Sequence, residues 1–207
     1  WAELIKKVNN VKPGSMSIVD TFGAMYLEDL IHIYKQMDSL LDKDIKIGLH
    51  SHDNLGLSFA LAEMMIMLSK ESVRDIIVDG SLFGMGRGAG NASTELIAGY
   101  LNERCGMNYN IPVLLDTIDK YIVPIKENIH WGYDLPMFVC GMEHAHVDNI
   151  YYLQKNTGCT ARGMYEVLKT MPISQRTRYG TNYSKTDFSN LQIAYDKYRK
   201  MEVMKDS

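Results

Sequence analysis

The first half of the chain alternates between two periods. Ser15–Val19, Ile45–Leu49 and Ile76–Val78 are short apolar runs of strand length. Helical spacing follows the first two: Leu27, Leu30, Ile31, Tyr34 and Met37, then Leu57, Leu61, Met64, Met65 and Leu68. A further helix is expected over Ser93–Cys105, and Trp1–Val11 reads as a helix preceding the first strand. Strand, loop and helix in repeated succession predict βα units and a parallel sheet. Past Gly106 the rhythm changes. Ile111–Ile125, His144–Asn156, Ala161–Thr170 and Asn190–Met204 carry helical patterns, while Asn128–Phe138 and Arg176–Asp187 read as loops. No stretch beyond residue 108 reads as a strand. The pattern therefore divides the chain into a βα half, 1–108, and an α-helical half, 109–207. The stripe Val113, Leu114, Ile118, Tyr121, Ile122 and Ile125 needs a partner surface, so the helical half is expected to dock on the βα half.

Composition narrows the class. The chain has 207 residues, 46% hydrophobic and 23% charged, which suits a folded α/β protein with a real core. No apolar run reaches membrane-spanning length, and WAELIKKVNN does not read as a signal peptide. The chain starts on Trp1 rather than Met, so it is read as a piece of a longer protein. Cys105, Cys140 and Cys159 are too scattered for a disulfide or zinc framework, which fits a reduced, cytoplasmic setting. Net charge is −3, with 10 Lys and Arg against 5 Asp and Glu from Lys155 onward. An acidic body with a mildly basic tail argues against nucleic acid as the main partner.

The chemistry concentrates at the expected strand ends. His50 and His52 lie two apart at the end of the second strand, where alternate side chains share a face and both imidazoles could meet one metal ion. Strand C-termini are where barrel and open α/β enzymes place their sites. Asp53 could orient an imidazole from behind, and Asn54 could cap the next helix. The glycine-rich run Asp79–Asn91 suits an anion or a metal-held substrate lying against backbone amides, with Gly84, Gly86 and Gly88 as its contacts. Its loose match to a dinucleotide fingerprint lacks the βαβ context and is rejected. Asn91 is either a ligand or a helix cap, and Arg87 either meets a carboxylate or faces solvent. Asp20 is either a partner of the metal site or the start of a turn. His144 and His146 fall on an expected helix, where i and i+2 diverge too far to share an ion. Cys140 reads as a small core residue.

Three segments together, VDTFGAM (19–25), GLHSHDNLGLSFA (48–60) and VDGSLFGMGRGAGNASTEL (78–96), resemble the HMG-CoA-lyase-like metal-dependent aldolases, or DRE-TIM metallolyases. The resemblance covers residues 1 to about 108 well and 109–170 loosely; the tail after Thr170 matches nothing in the family. The 4-hydroxy-2-oxovalerate aldolase branch is most similar, through GAGNA and the helical C-terminal region. The resemblance implies a partial (β/α)8 TIM barrel, its last three βα units, followed by an α-helical C-terminal region. It implies retro-aldol cleavage of a 4-hydroxy-2-oxo acid to pyruvate and an aldehyde by the full-length protein. His50 and His52 match the family's histidine metal ligands, Asn91 a ligand or near neighbour, and Asp20 and Asp53 positions behind the ligands. The implied cofactor is a divalent metal, manganese by preference, with magnesium, cobalt or zinc as alternatives. A small 2-oxo acid substrate, a homo-oligomer and an aldehyde dehydrogenase partner follow by the same resemblance. The family's first-strand arginine–aspartate motif and its early catalytic histidine have no counterpart here, so the fragment alone is expected to be inactive. The branch's catalytic tyrosine falls near Tyr133 or Phe138. Two rival readings are a related lyase or Claisen-type acyltransferase, and a non-catalytic truncated barrel that binds a partner.

Overall fold

The computed structural model describes residues 2–72, 74–177 and 188–205. These form two compact units that divide between Gly132 and Tyr133.

The first unit opens with α1 (Ala2–Val11) and β1 (Ser15–Asp20), then α2 (Leu27–Leu40), β2 (Lys46–Ser51), α3 (Ser58–Glu71) and β3 (Ile76–Val78). The strands make a parallel sheet in the order β1-β2-β3. Val19 pairs with His50 and Asp20 with Ser51, while Leu49 pairs with Val78. One more bond, from the Asp79 N–H to the Leu49 carbonyl at 2.9 Å, carries the second ladder past β3. His50 and Asp79 thus leave the sheet at the same level of its carboxyl edge, and Asp20 one residue further along β1. On the central strand Ile47, Gly48 and Leu49 are all buried, while Ser17, Val19 and Ile77 on the flanking strands are exposed. Ile18, Ile47 and Leu49 pack with Leu30, Tyr34 and Met37 of α2 and Leu61, Met65 and Leu68 of α3. The βα order expected from the apolar pattern is the order observed.

Beyond β3 come a 3-10 turn (Leu82–Gly84) and α4 (Thr94–Cys105). A second cluster, Ala62, Ile66, Ala92 and Ile97, joins α3 to α4. Then α5 (Ile111–Thr117), a π-helical turn (Ile118–Ile122) and α6 (Val123–Lys126) run on continuously. Ile118 and Ile122 bury against Trp131 and Leu82. That contact draws residues 111–126 into the sheet unit, whereas the apolar pattern places the boundary near 107–110. The stripe read there splits: Val113 and Tyr121 are more than half exposed, and Ile125 is exposed as well. One face of this helix fits the unit, and the rest of the stripe does not.

The second unit holds α7 (Leu135–Met142), α8 (Val147–Thr157), α9 (Ala161–Thr170), α10 (Ile173–Arg176) and α11 (Ser189–Lys205). Met137, Val139, Ile150, Leu153, Met164, Val167, Leu168 and Leu191 are buried in it. The Glu143 carboxylate accepts from Arg176 Nη1 at 2.6 Å. After β3 every described element is helical. The loop expected over Asn128–Phe138 is shorter than that, because α7 begins at Leu135. Asp134 caps it by accepting from the Met137 N–H at 2.7 Å, and Pro136 sits in the first turn, where no N–H is missed. His144 and His146 precede α8 rather than lying on it. His144 takes a left-handed backbone (φ 48°), and the His146 imidazole accepts from the Asp148 N–H at the helix start. Cys140 is buried and its thiol donates to the Ala145 carbonyl, in keeping with a core role. The loop read over 176–187 lies, from 178 onward, outside the described residues. None of the described helices is long and apolar enough to cross a membrane.

Candidate metal centre

The two imidazoles at the end of β2 stand next to each other. Their ring centroids are 5.0 Å apart with planes 82° to one another. Each is held through Nδ1. His52 Nδ1–H donates to the main-chain carbonyl of Asp20 at 2.7 Å, and His50 Nδ1–H donates to the Asp79 carboxylate at 3.2 Å. A carbonyl can only accept, so His52 carries a proton on Nδ1, which in the neutral ring leaves the lone pair on Nε2. Neither Nε2 has a hydrogen-bond partner among the described residues. Two unpartnered imidazole nitrogens on neighbouring rings suit a borderline divalent ion, which is the fit the group requires. Among the described residues no third His, Cys, Asp or Glu completes a metal set.

The other expected site residues take more varied parts. Asp20 serves His52 by its carbonyl, while its carboxylate accepts from the Ala24 and Met25 N–H groups and closes the turn into α2. Both alternatives read for Asp20 are therefore realised, by different atoms. Asp53 does not contact an imidazole. Its carboxylate accepts from the N–H and hydroxyl of Ser58 and so starts α3, the capping job expected of Asn54. Asn54 is buried instead, its amide donating to the Phe22 carbonyl. Asp53 thus takes the part expected of Asn54, while the imidazole partner expected of Asp53 comes from other strands.

Asn91 reaches the histidines through its backbone. It forms an antiparallel bridge with His52, and Asp53 N–H donates to the Gly90 carbonyl at 2.9 Å. This strap lays the glycine-rich loop along the end of β2. The Asn91 amide donates to the Met85 carbonyl, and α4 begins after Ser93, so the helix-cap reading of Asn91 falls away. Gly84 and Gly88 adopt left-handed backbone (φ 63° and 68°), and a Cβ on Gly86 would sit 2.6 Å from Asn91 Nδ2. Gly90 has φ 86°, and a Cβ there would collide with the Gly84 carbonyl oxygen. The loop closes only with these glycines in place. Trp131 pins its base: the indole N–H donates to the Phe83 carbonyl at 2.9 Å, and Lys126 Nζ lies 4.1 Å from the Phe83 ring centroid. Arg87 is exposed. Tyr133 opens the second unit and is 60% exposed; Phe138 lies in α7.

Asp79 escaped the sequence reading, where it served only as the start of the glycine-rich run. The available signal was positional. It ends the neighbouring strand at the level of His50, so a parallel ladder brings the two together.

Residues 1–119 match the sequence profile of the HMGL-like family. A 4-hydroxy-2-oxovalerate aldolase of Chloroflexus aurantiacus is 38% identical over 110 residues, 52% of this chain and 30% of that protein. The chain thus spans about a third of the length of the curated relatives it matches. Among solved structures, the N-terminal domain of a candidate aldolase from Bacteroides vulgatus superposes with a TM-score of 0.66 at 25% identity, covering 76% of this chain and 50% of that one. The carboxyl transferase domain of Rhizobium etli pyruvate carboxylase, solved with oxalate, shares the fold at a TM-score of 0.53 and 14% identity, over 100% of this chain and 34% of that one. Because the family match runs through every strand end that carries His50, His52, Asp79 and the glycine-rich strap, the chain belongs to the HMGL-like family.

Proposed function

We propose that the complete protein is a metal-dependent carbon–carbon lyase that cleaves a 4-hydroxy-2-oxo acid to pyruvate and an aldehyde, and that this chain supplies part of its metal centre. One observation carries the reading: the His50 and His52 rings lie 5.0 Å apart with both Nδ1 atoms engaged, and neither Nε2 has a hydrogen-bond partner among the described residues. The names of the matching relatives support the substrate class.

His50 and His52 would hold the ion, manganese by preference. When bound, the ion would act as a Lewis acid, favouring the enolate that a 2-oxo acid becomes as the bond breaks. The Asp20 carbonyl keeps His52 from rotating. Gly84, Gly86 and Gly88 would line the substrate site, since backbone without a side chain at those positions lets a ligand approach closely. The proton of the 4-hydroxyl needs a base. That base and the remaining ligand would come from elsewhere in the complete protein. The partial-barrel architecture and the homo-oligomeric state belong to the same proposal.

Replacing both His50 and His52 with Ala in the complete protein should remove bound manganese, measured by elemental analysis, and abolish pyruvate release. Unchanged metal content would overturn the assignment. The 207-residue chain on its own should release no pyruvate above background.

A further inference from the structure

We infer that Asp79 is a positioning residue that fixes the tautomer of His50, so that both imidazoles present Nε2 to one point. The inference rests on the metal reading above for its purpose but not for its test. An isolated neutral imidazole can carry its proton on either nitrogen, and the hydrogen bond made by one nitrogen decides which lone pair is left. For His52 the decision is made by main chain, since the Asp20 carbonyl accepts from Nδ1–H at 2.7 Å. His50 has no carbonyl in that role. Its Nδ1 faces the Asp79 carboxylate at 3.2 Å, and an ionised carboxylate also only accepts.

The root of the Asp79 side chain is fixed by the sheet. Its N–H donates to the Leu49 carbonyl, the residue before His50, so the two side chains leave adjacent strands at the same level. Gly80 follows, and a Cβ there would press on Thr94 Oγ1 at 3.0 Å and the Ala92 carbonyl at 3.1 Å, which holds this backbone against the start of α4. His50 and Asp79 side chains are 35% and 48% exposed. Water can therefore compete for Nδ1, and a neutral acceptor would hold the tautomer less firmly than a carboxylate. The two rings are thus locked by unlike devices: His52 by a backbone group that no substitution removes, His50 by a side chain that one substitution does.

The test uses the metal-free 207-residue chain with 15N-labelled histidine, its six resonance sets assigned by single replacements. In the parent chain both His50 and His52 should show the Nδ1–H form. Asp79→Ala should move His50 toward the Nε2–H form and leave His52 unchanged. Asp79→Asn, whose amide oxygen still accepts, should keep most of the parent pattern at His50. Thermal unfolding followed by Trp131 fluorescence, in a Trp1→Phe background, should be unchanged in both, as a merely structural role would not allow. Manganese affinity of the complete protein, by equilibrium dialysis, should fall about 10–100-fold in Asp79→Ala and less in Asp79→Asn. A His50 tautomer indifferent to Asp79→Ala would overturn the inference. Failure of the complete protein to bind manganese would count against the metal reading alone, and the tautomer arm would still decide the role of Asp79.

Discussion

Replacing Arg74 with Met should destabilise the sheet unit by about 3–5 kcal/mol, the range for removing one partner of a buried ion pair. The Arg74 side chain is fully buried and uses all five of its N–H donors. Nε donates to the Asp38 carboxylate at 2.7 Å. Nη1 donates to the carbonyls of Asp42 and Ile45, and Nη2 to those of Asp38 and Leu41. These acceptors are the last turn of α2 and the loop that leads into β2, so one guanidinium closes the helix end and sets where the central strand begins. A cation there also complements the negative end of the helix dipole. In the Met variant the bonds to Leu41 and Ile45 lose a donor in the interior, at about 1–3 kcal/mol each. The Asp38 share is smaller, because its side chain is 21% exposed and keeps Lys43 at 3.0 Å. Burial would raise the Asp38 carboxyl, but hydrogen bonds and charge from Arg74 and Lys43 together hold it below the usual carboxylate value. A carboxyl lowered on folding stabilises above its unfolded pKa of about 3.9, and that contribution disappears as pH falls through the folded value. Urea unfolding read by Trp131 fluorescence, in a Trp1→Phe background, would measure the loss. The midpoint temperature should drop by roughly 6–20 °C. Arg74→Lys, with three donors and no planar fork, should fall between parent and Met. A Met variant within about 1 kcal/mol of the parent, or one with the parent's full loss of stability below pH 4, would refute the reasoning.

Two further outcomes concern the glycine-rich strap. Gly90→Ala should cost at least about 2 kcal/mol, because φ 86° is strained for a side chain and the new Cβ meets the Gly84 carbonyl; urea unfolding measures it, and a neutral result would show that the strap is not closed as described. Trp131→Phe should cost about 1–3 kcal/mol by leaving the Phe83 carbonyl without its donor, and hydrogen exchange at residues 82–91 should speed up while α2 stays protected.

The βα half was legible because its packing repeats locally. Leu30, Tyr34 and Met37 are buried at helical spacing, and Ile47 and Leu49 form an apolar run too short for a helix. Each element announces itself within its own length. The helical half was legible only as helices. Whether residues 111–126 join the sheet depends on Trp131 reaching back to Phe83, a contact 48 residues apart that no local period encodes. The start of α7 was missed for a different reason: Pro136 and Gly132 read as breakers, yet Pro in a first turn behind an Asp cap favours a helix.

The site shows the same division between side chains and main chain. His50 and His52 were visible as ligand-type residues, because their spacing and the strand period are both local facts. What orients them was not visible, since the relevant partners are set by strand order. A parallel neighbour on one side brings a carbonyl at Asp20, and one on the other brings a carboxylate at Asp79. Residue type identifies Asp79 as a hydrogen-bond acceptor but gives no hint that Asp20 acts through its backbone. Asp53, chosen because it adjoins His52, is spent on α3 instead. In a parallel sheet, then, the residues behind a ligand are better sought at the same level on the adjacent strand ends than beside the ligand in sequence.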